Sequence, residues 1–251
     1  MLPNKHSDML IDDYQWVPQY KIRSEDDSKL TSSMRWEKFR GLFKDHLIQM
    51  LPLQLMSYPL LRAVGFTTDA STLPSVSSWF WEFVLFNVVE DAGFYWVHRL
   101  LHTSWCYAKI HKKHHEYIAP FSLVGEIAHP AEFLFNFLLP MMGGPFIVGL
   151  YRGHVHIVSF WIWMTFREMR GTEAHSGYNI PFHPLRLLDS IYGGSKSHEY
   201  HHSVVGRNSN FGGYKFWDWV MGTDRATNER KRQQKRQAQA IAKTANASKA
   251  N

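Results

Sequence analysis

Eight of the 15 histidines in this sequence fall into three tight clusters. His98 and His102 flank Arg99-Leu100-Leu101, His111 is followed after Lys112-Lys113 by His114 and His115, and His198 is followed after Glu199-Tyr200 by His201 and His202. Residues three or four apart share one face of a helix, so each cluster can bring its imidazoles to one side of one element. Neutral imidazole suits Fe, Zn and Cu and is the commonest protein metal ligand. A single histidine is more often a packing or surface residue, and one HxxxH pair is a weak signal. An HxxxH followed by two HxxHH clusters is a strong one. Eight imidazoles are too many for one ion, since a structural zinc takes about four ligands and a catalytic zinc about three. Two metals fit the count. Soluble di-iron proteins use carboxylates with Glu-x-x-His pairs. A ligand set that is nearly all histidine makes a more cationic site, suited to activating molecular oxygen against an unreactive C–H bond. That chemistry needs a redox metal.

The elements that must position these clusters are apolar. Four apolar stretches run roughly from Leu42 to Phe66, Trp79 to Leu101, Ala131 to Leu150 and His154 to Phe166. A bilayer span takes about 20 helical residues, so the first three are long enough and the fourth must borrow from its flanks. The connection Thr67 to Ser78 has no Lys or Arg and the connection after Leu150 is only Tyr151-Arg152-Gly153, whereas basic residues gather in Lys21–Arg40, Lys109–Lys113 and Lys196–Arg236. Arg62 and Arg152 depart from this asymmetry, which otherwise follows the positive-inside rule. Two apolar stretches separate His115 from His198, and an even number of crossings returns the chain to the same side. The expected fold is therefore an all-α integral membrane protein: two transmembrane helical hairpins with a cytosolic histidine-rich helical cap holding a di-metal site.

Composition agrees. Of 251 residues, 45% are apolar and 15% aromatic, ample for a large buried or lipid-facing surface. The net charge of +6 equals the surplus of the tail after Arg225, where seven basic residues face Glu229 alone. Such a tail reads as solvated chain with an attraction for anionic headgroups, and it lacks the aromatic interleaving or fold signature of a nucleic-acid binder. One cysteine, Cys106, excludes an intrachain disulfide. The polar start, Met1 to Asp12, is expected not to be a cleavable signal peptide. Three regions are expected: an N-terminal cytosolic segment 1–41, a membrane domain 42–225 that carries the apolar stretches and the histidine clusters, and a basic tail 226–251.

At these clusters the sequence resembles the fatty acid hydroxylase superfamily of membrane oxygenases and, within it, the 4-methylsterol monooxygenases. The resemblance rests on Glu90-Asp91 before the first cluster, His115-Glu116-Tyr117 leading through Ala119-Pro120-Phe121 to Glu126-Ile127-Ala128-His129-Pro130, His175-Ser176-Gly177-Tyr178, Tyr192-Gly193-Gly194, Trp217-Asp218 and Gly222-Thr223-Asp224. It covers roughly residues 14–225. It implies a multi-pass enzyme of the endoplasmic reticulum membrane with a cytosolic active site, two non-haem irons and molecular oxygen as co-substrate. Electrons would come from NAD(P)H through cytochrome b5 and its reductase, and a sterol substrate would enter from the bilayer. The implied catalytic and metal ligands are His98, His102, His111, His114, His115, His198, His201 and His202, with His175 as a ninth. His129, before a proline, is expected to support ligands, and His6, His46, His154, His156 and His183 to be structural or interfacial.

Two positions depart from the family pattern. Asn179 stands where some relatives have histidine, and Arg170 where relatives often have glutamate. The implied reaction oxidises a C-4 methyl group of a sterol precursor. A sterol C-5 desaturase or a fatty acid or sphingolipid hydroxylase shares the same clusters, and a catalytically silent relative would keep them. A membrane metal transporter or metal-binding scaffold would place its ligands inside the spans, whereas here they sit at span ends. Trp96, Phe121, Trp161 and Trp163 are candidate walls for an apolar substrate.

Overall fold

The computed structural model describes residues 17–22, 31–118 and 121–225, and positions 229, 232 and 236 beyond them. The start of the chain and most of the basic tail, with the expectations placed on them, lie outside the described residues, as do Ala119 and Pro120.

The described chain is mostly helical. Helix α1 (Ser32–Asp45) begins at Thr31, whose hydroxyl accepts the Met34 N–H at 3.3 Å, an N-cap for one of the helix's orphan donors. It passes through a π-helical stretch, His46–Met50, into α2 (Leu51–Ala63). A second π stretch, Phe133–Leu138, lies within the helix Pro130–Arg152, here α5. Pro52 and Pro140 each follow a π stretch, and a proline ring would clash with the carbonyl four residues earlier, at Ile48 or Asn136. A locally widened turn relieves that clash.

Helix α3 (Val76–Leu101) has 26 residues, about 39 Å at helical rise, against about 30 Å of bilayer hydrocarbon. Ser75 caps it by accepting the Ser78 N–H at 3.2 Å. Helix α4 is short (Ser104–Lys109), α6 is Ile157–Ala174, α7 is Gly194–His202 and α8 is Lys215–Met221. The fourth apolar stretch does borrow from its flank, since α6 continues to Ala174.

Packing is closest between α3 and α5, where small residues permit it. A Cβ at Gly144 would lie 2.7 Å from Phe86 Cα, and one at Gly93 would lie 3.0 Å from Pro140. At the far end of α5, Gly149 lies against the Val64 carbonyl. There β1 (Phe66–Thr67) pairs in parallel with β2 (Val155–His156), joining the two interhelical connections. Phe66, Phe86, Val148, Val155 and Trp163 form the core at this end.

Among the described residues one helix, Pro130–Arg152, is long and apolar enough to cross a membrane. Large apolar side chains also lie exposed on α2, α3 and α6, including Met56, Trp81, Val88 and Trp161.

Candidate metal centre

The histidines meet at the opposite end from that core. His98 lies in the last turn of α3 and His102 is its C-cap. The segment His111–Glu116 forms a 3₁₀ helix, whose three-residue turn eclipses positions three apart; the His111 and His114 rings stack there at 5.4 Å and 24°. His175 is the C-cap of α6, and His198, His201 and His202 lie on α7.

These nine residues form two groups. His98, His102, His111, His115 and His201 form one, and His114, His175, His198 and His202 the other; within each, one nitrogen per residue lies within 4.8 Å of all the rest. The second and third clusters are each split between the groups: His111 and His115 lie with His201 in the first, and His114 lies with His198 and His202 in the second.

Hydrogen bonds fix the tautomers. The Nδ1–H of His98 donates to the Phe211 carbonyl at 2.7 Å, that of His201 to Ser209 at 2.7 Å and that of His175 to Gly171 at 2.9 Å. His202 donates to Tyr117 at 3.2 Å and His114 to Ile127 at 3.4 Å. The Nδ1–H of His111 donates to the Glu132 carboxylate at 2.7 Å. A neutral imidazole has one donor and one acceptor, so each Nε2 presents a lone pair. Those lone pairs face one another: His98 and His111 Nε2 are 3.1 Å apart, and His114 and His175 Nε2 are 3.3 Å apart. Two lone pairs at that distance repel, and His201 Nε2 is buried with no hydrogen-bond partner. Cations among these atoms remove both problems, so the donor set fits two metal ions. Burial pushes the imidazoles below the ordinary histidine range, His175 to about 4 and His201 to about 3, and His114 and His202 well down, which keeps the lone pairs available.

The loop that supplies two of these carbonyls is itself built. Asp218 accepts the N–H of Phe211 at 2.9 Å and of Gly212 at 2.8 Å, and the Thr223 hydroxyl at 2.6 Å. Asn210 turns the loop at φ 56, a conformation asparagine tolerates. Asp91 accepts the Tyr214 N–H at 2.8 Å. The Trp217-Asp218 and Gly222-Thr223 segments thus hold the carbonyls that orient His98 and His201. Sequence reasoning marked these segments without their role, and it did not mark Glu132, whose only signal was its place two residues after His129-Pro130.

Other expected positions resolve differently. His129, His156 and His183 cap helical turns, each accepting a backbone N–H two residues on. His46 lies 3.9 Å from Glu126. Arg170 is buried and paired with Glu90, its guanidinium 4.5 Å from the centre of the Tyr214 ring, so the reversed charge has a partner. Asn179 accepts from Arg186 at 3.1 Å and so belongs to the Arg186–Glu173 pair. Of the four candidate substrate walls, Trp163 belongs to the distant core and Trp161 and Trp96 face outward, 62% and 47% exposed. An outward position on a helix cannot line an internal pocket. Phe121 remains, packed with Val124 and Ile127 beside His114.

The fatty acid hydroxylase family model matches residues 83–223, a span that contains all nine imidazoles. Among curated proteins, the chain is 35% identical over 212 residues to methylsterol monooxygenase 2-2 of Arabidopsis thaliana, covering 84% of this chain and 76% of that one. Methylsterol monooxygenase 1-3 of the same plant is 34% identical, covering 84% and 69%. A very-long-chain aldehyde decarbonylase of Oryza sativa subsp. indica is 36% identical, covering 86% and 78%. No solved structure matches the chain significantly.

Proposed function

The chain belongs to the fatty acid hydroxylase family, an iron-dependent family, and is an oxygenase enzyme; from that premise we propose that it oxidises the C-4 methyl group of 4-methyl or 4,4-dimethyl sterol precursors at a centre of two non-haem irons. The observation that carries the metal reading is the convergence of lone pairs on Nε2 atoms whose Nδ1–H groups are already committed. His98, His102, His111, His115 and His201 would hold one ion, and His114, His175, His198 and His202 the other. Iron bound there would supply the oxygen activation that an unreactive methyl C–H bond requires. Phe121, Val124 and Ile127, with Tyr117 and Leu123, form an apolar wall beside the four-imidazole group, the kind of lining that suits a substrate with few polar handles.

The membrane arrangement is part of the same reading. The exposed apolar faces of α2, α3, α5 and α6 would meet lipid as two hairpins. The histidine end carries exposed Lys109, Lys112, Lys113 and Arg207 and would face the cytosol, in the endoplasmic reticulum, with cytochrome b5 and its reductase delivering electrons from NAD(P)H. Tags after Lys29 and at Asn251 are expected on the cytosolic side and one at Asp69 in the lumen; termini on opposite sides would overturn the arrangement.

The reaction is tested by incubating membranes containing the chain with a 4,4-dimethyl sterol, reductant and labelled oxygen. Labelled 4α-alcohol, aldehyde and acid are expected in sequence. A second reading, action on a very-long-chain aldehyde, draws on a relative of equal similarity. If no labelled C-4 product forms, while an aldehyde is consumed, a ring double bond appears or an acyl chain is hydroxylated, the family stands and the sterol reading fails.

A further inference from the structure

We propose that Glu132 is a positioning residue that makes the two metal sites inequivalent, by placing a buried carboxylate directly behind His111 of the five-imidazole group. The inference rests on the metal reading above and goes beyond it. Glu132 lies in the first turn of α5 and its side chain is fully buried. Its Oε1 accepts the His111 Nδ1–H at 2.7 Å, and its Oε2 has no hydrogen-bond partner. The adjoining π stretch sets this orientation: Glu132 and Asn136 are turned inward while Phe133, Leu134 and Phe135 point outward.

A buried carboxylate held by one neutral donor is unfavourable unless a positive charge lies near. His111 supplies the connection. Its Nε2 is the hub of the five-imidazole group, 3.1 Å from His98 Nε2 and 3.0 Å from both His102 and His115 Nε2. A cation held by that nitrogen is compensated through the ring by the carboxylate on the other side, which also fixes the tautomer and strengthens the imidazole as a donor. In the four-imidazole group the orienting hydrogen bonds of His114, His175 and His202 end on the carbonyls of Ile127, Gly171 and Tyr117, none of which carries a net charge. One group therefore has a carboxylate directly behind one of its imidazoles, whereas these three imidazoles of the other group are oriented by neutral carbonyls.

The test uses the full-length protein purified in detergent and loaded with Co²⁺ alone, read by the visible absorption of each bound ion and by competition with a chelator. Glu132→Gln keeps the size and an acceptor oxygen but removes the charge. It is expected to weaken one of the two Co²⁺ ions about 10- to 100-fold and to shift that ion's absorption, leaving the other ion unchanged. Glu132→Asp keeps the charge and is expected to recover affinity relative to Glu132→Gln, which a merely space-filling role would not produce. Two Co²⁺ ions bound by Glu132→Gln with wild-type affinities and spectra, or both weakened alike, would overturn the inference while leaving the metal reading intact. A wild-type protein that binds no Co²⁺ would overturn both.

Discussion

His114 and His115 are adjacent in the chain yet belong to different imidazole groups, their rings 5.6 Å apart at 86°. His114 faces His175 and His202, while His115 faces His102 and His111. One short 3₁₀ helix therefore ties the two groups together.

This arrangement predicts separable losses of metal. His114→Ala is expected to lower the content of one ion and His115→Ala that of the other, with oxygenase activity abolished in both. Metal analysis of each purified variant by the Co²⁺ bands of the two sites checks it. Either variant keeping two ions and full turnover would remove its residue from the ligand set.

Asp218 predicts a coupled loss of stability and metal. Its removal leaves the N–H groups of Phe211 and Gly212 and the Thr223 hydroxyl without their acceptor. Hydrogen bonds to a charged group contribute roughly 1.5–3 kcal/mol each, so Asp218→Ala is expected to destabilise the protein by about 3 kcal/mol or more, and Asp218→Asn by less. Thermal unfolding in detergent gives the order. The ion held by His98 and His201 should be the one that loosens, because their carbonyl partners lie on this loop.

The α3–α5 contact makes a purely steric prediction. A Cβ at Gly144 would lie 2.7 Å from Phe86 Cα and 2.8 Å from its ring. Gly144→Ala is expected to cost about 1–3 kcal/mol, the usual range for overpacking, whereas Gly41→Ala, with open space around it, should cost nothing. Equal unfolding temperatures for the two variants would contradict the packing described.

The metal-free protein should lose stability in mild acid. Burial holds His175 down to about 4 and His201 down to about 3 in the folded state, against roughly 6.5 in the unfolded chain. Between those values the unfolded chain binds protons that the folded protein refuses, so stability rises with pH across that window. It is fully present above about 6.5 and declines as pH falls toward 4. Unfolding temperatures of the metal-free protein at pH 7.5, 6 and 5 should fall in that order, and a flat profile would count against neutral, buried imidazoles.

The sequence by itself determined the chemistry available and where it gathers. Histidine spacings of three and four are local, and a helix or 3₁₀ turn keeps each cluster on one short element without reference to the rest of the chain. The apolar stretches became α2, α3, α5 and α6 because hydrophobic length and helical continuity are also local properties. Only the tertiary structure decided how the imidazoles divide, because whether His201 joins His98 or His198 depends on where α7 docks against α3. It alone showed Glu132 behind His111, 21 positions away, and the Phe211 carbonyl behind His98, 113 positions away. It also turned Trp161 outward and Trp163 into the core, since the rotation of α6 about its axis is set by the side chains it meets on α3 and not by its own sequence. Local spacing gathers the imidazoles; long-range packing selects their partners, their tautomers and the carboxylate placed behind His111.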